Sequence, residues 1–293
     1  MTEEHTYDLD LFRSLNAEYR ERPLVPRPRN MNPSSLEEQA RRRASSLDRR
    51  LSLRGRRVLE IGCGRGHLAA VLATEYGCEV VGVDIVEYET WPELAEVDGL
   101  RLTCHDVTAG DNDDLGRFDR ILSLAVFEHV ERPLHGLDAI GELLDPAGSA
   151  YLSANLYRGP KASHRYREVF FPFPHLLFAD SVFADFYAPT RYPHVGPAWV
   201  NKLTGAHYRE YVRSIGLAID DQWTDRTELD RQFYERFVDK LGKYPIEDLE
   251  ADFVHLVLSH DKRSGDRSIR STAATLAKRA FSRAGRTIAK WKP

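Results

Sequence analysis

The chain has 293 residues, 42% apolar and 29% charged, enough for one large core with an insertion or extension. Its net charge of −4 is uneven: from Arg267 onward there are eight Lys/Arg and no Asp/Glu, leaving residues 1–266 at −12. An acidic body speaks against a general nucleic-acid binder, and no apolar run is long enough to span a bilayer. Cys63, Cys78 and Cys104 have no metal-ligand spacing and are too few for a disulfide framework, which points to a reducing, cytoplasmic setting. The first residues lack the basic and apolar regions of a signal peptide, so none is expected.

Residues 1–34 read as irregular, with Arg22–Arg29 a basic arm punctuated by prolines. It is either a surface strap or an arm whose Arg27 or Arg29 reaches an anionic group. Ser34 or Ser35 then precedes Leu36-Glu37-Glu38-Gln39, an N-cap with acids in the first turn, which predicts a helix to about Leu51. The run Arg41-Arg42-Arg43 reads as a solvated face, because sequence neighbours point in different directions around a helix.

Val58–Ile61 is a short apolar run suited to a buried parallel strand. Gly62, Gly64 and Gly66 follow at alternate positions, then a helical stretch from Leu68 to Ala73. Glycine permits positive φ and lets a ligand lie against bare backbone, and the helix start offers unpaired N–H groups to an anion. The dinucleotide fingerprint would need glycine at position 67, where His67 stands. Glu79–Asp84 is a second strand whose terminal acid is placed to take ribose hydroxyls. Leu100–Val107 is a third strand closing on Asp106, and Phe118–Leu124 a fourth that runs into Glu128-His129. Pro133 opens a helix with Leu134, Leu137, Ile140, Leu143 and Leu144 at 3–4 spacing. Leu144–Gly148 is expected to stop it before a fifth strand at Ala150–Ala154.

Glu60-x-Gly62-x-Gly64-x-Gly66, Asp84, Asp106, Phe118-Asp119, Phe127-Glu128-His129-Val130 and Leu143-Leu144-x-Pro146-x-Gly148 come in one order. Over residues 56–155 this series resembles the class I S-adenosylmethionine-dependent methyltransferases, in the branch that includes the ubiquinone-biosynthesis O-methyltransferases. The resemblance implies an α/β fold: a doubly wound, Rossmann-like sheet of seven strands, the last antiparallel. It also implies S-adenosylmethionine as cofactor. Glu60 would face its ammonium group, and Gly62, Cys63, Gly64 and Gly66 would carry its carboxylate and ribose. Asp84 would take the ribose hydroxyls, Ile85 beside it would touch the cofactor, Asp106 would meet the adenine amino group and Val107 would pack on the ring. Ubiquinone-type enzymes have a second Glu three positions before the Glu-His pair, where it helps bind a divalent metal. Ala125 occupies that place, so no metal is expected. The Asn-Pro-Pro-Tyr loop of nucleic-acid amino-methyltransferases is also absent after the fourth strand, which counts against base methylation.

Residues 156–215 read as an insertion, and 156–199 hold eleven of the chain's thirty aromatics among six prolines. It is either a lid with an acceptor pocket or a small aromatic subdomain that packs. His164, His175 and Tyr166 lie in this run and are candidate substrate contacts. A helix over His207–Ser214, a sixth strand at Leu217–Asp220, one helix over 228–242 and a seventh strand at Phe253–Leu258 complete a domain spanning 53–265. The helix over 228–242 is drawn from Leu229, Phe233, Phe237 and Leu241 at four-residue spacing. Residues 1–52 form an arm and helix before this domain, and 266–293 a basic extension behind it. Within that extension, 268–291 suits an amphipathic helix on an anionic membrane surface, or else a tail that is solvated or docks on the acidic body.

The expected reaction is in-line methyl transfer to a hydroxyl of a small molecule, glycan or lipid-linked precursor. His129 is the candidate base, with Glu128 orienting it or touching the cofactor; the plainer reading of the pair is a helix cap. N-methylation of a small metabolite, or a cofactor-binding but inactive partner subunit, are the alternatives.

Overall fold

Residues 7–26, 32–188 and 200–261 are described in the computed structural model. Seven strands form one sheet: β1 (Arg57–Ile61), β2 (Glu79–Asp84), β3 (Leu100–Cys104), β4 (Phe118–Leu124), β5 (Leu144–Asn155), β6 (Leu217–Arg226) and β7 (Ala251–His260). Their order is β3-β2-β1-β4-β5-β7-β6. Parallel pairing puts Val58 opposite Val80 of β2 and Arg120 of β4. β7 runs antiparallel to both neighbours, with Leu152 of β5 opposite Leu256. The expected doubly wound, seven-stranded architecture is therefore present. The direction of winding reverses between β1 and β4, which opens a crevice beyond their carboxyl ends.

Inner strands buried on both faces need helices on each side. On one side α2 (Pro33–Leu51) and α3 (His67–Tyr76) cover Val58, Val80 and Leu122. On the other, α5 (Pro133–Leu143) and α8 (Gly205–Ser214) cover Leu59, Ile121 and Leu152. Leu36, Ala40, Ala44, Leu47 and Leu51 are the buried stripe of α2, whose start is capped by the Asn32 side chain rather than by Ser34 or Ser35.

A third apolar cluster lies apart from the sheet. It joins α1 (Leu9–Glu18), the insertion with α6 (Pro174–Leu177) and α7 (Asp180–Tyr187), and the segment holding α9 (Arg231–Arg236), α10 (Val238–Leu241) and α11 (Ile246–Leu249). Phe12 is fully buried at its centre, edge-on to Phe171 and to Phe183, with ring centroids 5.2 Å away in each case. The Asn16 amide stitches α1 to the insertion, donating to the Glu168 carbonyl at 2.9 Å and accepting from Phe170 N–H at 2.8 Å.

Several sequence expectations are corrected. Residues 9–18 are helical, not irregular: Asp8 caps the helix and Phe12, Leu15 and Tyr19 share its buried side. The single helix over 228–242 is two, broken at Phe237, although Leu229, Phe233, Phe237 and Leu241 all bury together as their spacing requires. The third strand ends at Cys104, and Asp106 caps a short turn over 107–109. β5 begins already at Leu144; Phe118 faces Leu144 and Arg120 faces Ser149, so residues 145–148 bulge out. Phe171, Phe173, Phe178, Phe183 and Tyr187 are core of the third cluster, so much of the aromatic run serves packing. No helix among the described residues is long and apolar enough to cross a membrane. Arg27, Arg29 and the basic stretch 268–291 lie outside the described residues.

Candidate active site

The crevice is a cleft of about 660 Å³ between the ends of β1, β2 and β4, closed on one flank by α2. Its floor is the turn that follows β1. Gly62, Gly64 and Gly66 all adopt positive φ, at 73°, 52° and 77°. Gly62 also has no room for a side chain, since a Cβ there would fall inside Val126. The turn is pinned from the next strand: Gly62 N–H donates to the Val83 carbonyl at 2.8 Å and Gly64 N–H to Asp84 Oδ2 at 2.9 Å. The start of α4 (Trp91–Leu94) pins it from outside, with Trp91 Nε1 donating to the Gly64 carbonyl and Thr90 Oγ1 to that of Arg65, each at 2.7 Å.

Glu60, Gly62, Cys63, Gly64, Asp84, Ile85, Asp106 and Val107 all line this cleft, so the structure brings together in space what the motifs placed in series. Gly66 is set back from the wall; its positive φ starts α3, and a Cβ there would press on Leu102. Glu60 is buried and its Oε2 has no hydrogen-bond partner. Burial raises its pKa to about 8, against the opposing pull of the Arg43 charge and the Ala69 backbone N–H. A buried, underused carboxylate oxygen beside a cleft is what an ammonium group would satisfy. Ile85 is 74% exposed, an apolar side chain left for a ring to cover. Burial raises Asp106, but Thr108 N–H and Oγ1, donating at 2.8 and 2.7 Å, and the Arg132 guanidinium more than reverse it, so its carboxyl sits below the usual range. Burial also pushes the Cys63 thiol up, which makes it a wall and not a nucleophile.

Beyond Ala125, itself at φ 57°, Phe127–His129 form a single 3-10 turn. His129 stands on the cleft wall; Glu128 points inward and is fully buried. Neither Glu128 oxygen makes a full hydrogen bond. Burial raises its pKa to about 7, partly offset by the nearby N–H groups of Glu128 itself and Asn155. His164 arrives from the insertion, its ring edge-on to His129 with centroids 4.9 Å apart. Its backbone is held at φ 54°, in a turn closed by its own N–H on the Lys161 carbonyl, while Lys161 is anchored to the buried Asp252 at 2.7 Å. Burial, with the neighbouring His129, lowers the His164 pKa to about 4. None of the three candidate substrate contacts lines the cleft: His164 stands behind His129, His175 has its Nε2 2.7 Å from the Tyr157 carbonyl, and half-buried Tyr166 lies off the wall as well.

Two contributors were missed in the sequence. Arg43 lines the cleft, while Arg41 pairs with Glu37 and Glu75, and Arg42 with Glu38. The signal was there: Arg43 is three positions past Ala40 and four before Leu47, along the edge of the buried stripe of α2. Asn201 holds the 127–130 turn, its side chain donating to the Phe127 carbonyl at 2.6 Å and its backbone N–H to that of Glu128 at 2.7 Å. Nothing local in the sequence marks it.

A family model described as "Methyltransferase domain" matches residues 36–222. The chain is similar to the ubiquinone biosynthesis O-methyltransferase of Cereibacter sphaeroides, 39% identical over 139 residues, or 45% of this chain and 56% of that protein. The corresponding protein of Dinoroseobacter shibae is 36% identical over 165 residues, 54% of this chain and 66% of that one. The chain thus spans little more than half the length of the first of these relatives. Among solved structures, coclaurine N-methyltransferase bound to N-methylheliamine and SAH aligns with a TM-score of 0.52 at 16% identity, over 85% of this chain and 86% of that one, a likeness of fold alone. With a family match over most of its length laid on this sheet and this glycine turn, the chain belongs to the class I S-adenosylmethionine-dependent methyltransferases.

Proposed function

We propose that this chain transfers a methyl group from S-adenosylmethionine to a hydroxyl oxygen of a small molecule, glycan or lipid-linked precursor. The cofactor brings a methyl group already activated on a sulfonium. What remains for the protein is to hold it, align the acceptor and handle the acceptor's proton. Glu60 is assigned to the ammonium, Arg43 to the carboxylate, Asp84 to the ribose hydroxyls, Asp106 to the adenine amino group, and Ile85 with Val107 to the ring.

The observation that carries the reading is a proton-accepting group at the cleft wall. A hydroxyl gives up its proton as it attacks, and a protonated amine must lose one before it can. His129 lines the cleft, and Glu128 and His164 stand behind it with one ligand or proton-accepting atom each within 4.8 Å of one another, a set able to take that proton. The 39% identity to a protein named as an O-methyltransferase supports the choice of oxygen.

The test is incubation of the purified chain with isotopically labelled S-adenosylmethionine and small-molecule extracts, followed by mass analysis. We expect a product one methyl group heavier, with the label on oxygen and a stoichiometric yield of S-adenosylhomocysteine. A label found only on nitrogen, or no turnover with any extract despite tight cofactor binding, overturns the reading.

A further inference from the structure

We propose that Arg132 and Asp106 together read the cofactor's adenine at two points, the carboxylate taking the amino group and the guanidinium a ring nitrogen beside it. The two side chains reach the cleft from different strand ends. Asp106 follows β3, and Arg132 leads from the turn after β4 into α5. Arg132 Nη2 lies 3.5 Å from Asp106 Oδ2 and donates to Thr108 Oγ1 at 3.0 Å. Thr108 Oγ1 in turn donates to Asp106 Oδ1 at 2.7 Å, so one hydroxyl orients both charged groups.

These bonds leave complementary atoms over. Asp106 Oδ1 is filled by Thr108 N–H and Oγ1, whereas Oδ2 has the longer contact with Arg132. Burial works against the Asp106 charge, but Thr108 and Arg132 outweigh it, so the carboxylate is ionised and can only accept. A guanidinium can only donate, and among the described residues this one makes both its contacts through Nη2, leaving the rest of its fork. An acceptor and a donor side by side match one edge of adenine, whose amino group donates and whose ring nitrogens on either side, N1 and N7, accept.

The pair is set in advance of any ligand. Asn112 donates to the Val107 carbonyl at 3.1 Å and meets His105 Nε2 at 2.8 Å, while Asp106 caps the short turn over 107–109. Arg132 is held from the other side, its carbonyl accepting from Gly136 N–H at 3.2 Å in the first turn of α5. Side-chain exposure is 50% for Arg132 and 44% for Asp106, so in open water their attraction contributes little. A purine covering them removes that water, and charge-assisted hydrogen bonds to its edge strengthen as the water leaves. The inference rests on the assignment of Asp106 to the adenine amino group and is independent of which atom accepts the methyl group.

Calorimetry on the full chain compares S-adenosylhomocysteine with three analogues. Its 1-deaza and 7-deaza forms each lack one ring nitrogen, and S-inosylhomocysteine has a carbonyl in place of the amino group. We expect S-inosylhomocysteine to bind at least about tenfold more weakly, and at least one deaza analogue to lose about tenfold as well. In Arg132→Met, which keeps the apolar stem, S-adenosylhomocysteine should fall to the level of one such deaza analogue, so that the difference between the two vanishes. Urea unfolding of the variant confirms that it is folded. Equal binding of S-adenosylhomocysteine and both deaza analogues by the parent overturns the proposal without any variant. A variant that weakens every ligand by one factor, leaving the deaza losses in place, overturns it too, since Arg132 then only ties two loops together. If S-inosylhomocysteine binds as well as the adenosyl compound, the assignment of Asp106 fails and the proposal with it. If it is rejected while both deaza analogues are accepted, Asp106 keeps its assignment and Arg132 alone loses its part.

Discussion

His129 and His164 meet edge to face with ring centroids 4.9 Å apart, and this contact is where the insertion meets the turn after β4. The aromatic side chains around His164 do not follow it there; they fill the cluster centred on Phe12. The insertion thus has a packed body that carries one imidazole, on a turn with positive φ, against His129 at the cleft wall.

Glu60 makes the empty protein's stability depend on pH. Burial raises its folded pKa to about 8 from an ordinary 4.5, so between those values the folded chain holds a proton that the unfolded chain has released. Stability from this residue is therefore lost as pH rises from the lower value toward the upper, by on the order of a few kcal/mol in all. Glu60→Gln should lose less melting temperature than the parent between about pH 5 and about pH 8, measured without cofactor. Parallel curves would show that Glu60 is ionised throughout. The same variant should weaken S-adenosylhomocysteine binding by roughly tenfold, about 1.4 kcal/mol, through loss of the charge facing the ammonium.

Arg43 is exposed and sits over the cleft, so its removal should be felt by ligand and hardly by fold. Arg43→Ala is expected to weaken S-adenosylhomocysteine binding about tenfold, with stability changed by no more than about 0.5 kcal/mol. Arg42→Ala, removing only an exposed pair with Glu38, is the control and should leave binding unchanged. Calorimetry with urea unfolding reads both quantities.

Gly62→Ala places a methyl inside Val126 on a backbone at φ 73°. The left-handed conformation alone costs roughly 1–2 kcal/mol with a side chain, and the overlap adds to it. Adding Val126→Ala should recover the overlap but not the backbone part. A double-mutant cycle by urea unfolding should show that coupling; additive losses would mean that Val126 simply moves aside.

Phe12→Ala should destabilise the chain by about 3–5 kcal/mol, the usual cost of emptying a fully buried phenylalanine site. Because α1 packs on the insertion, the loss should appear in proteolysis of residues near 160–187 before it appears in the sheet. Protection of that segment equal to the parent's would show that α1 is dispensable to it.

The strands and the glycine turn were legible because their signals are local. Four apolar residues, three glycines in alternation and a helical repeat set backbone angles within a dozen positions, and the structure places Glu60, Asp84 and Asp106 on one cleft as that order implied. The first helix was just as local, with Asp8 capping a Phe12–Leu15–Tyr19 stripe, and was lost to the prolines and arginines that follow it. The helix over 228–242 failed for the opposite reason: its four-residue spacing was right for burial, but a break at Phe237 costs little when the aromatic cluster holds both halves.

The sequence by itself determined the sheet, the glycine turn and the order of acids around it, since each depends on residues adjacent in the chain and on allowed φ and ψ. Only the tertiary structure decided that Arg43 turns toward the cleft, that Asn201 clamps the turn bearing Glu128, and that His164 stands beside His129. Those relationships join segments far apart in sequence, and they are fixed by which surfaces can bury one another, a property of the whole fold that no local pattern encodes.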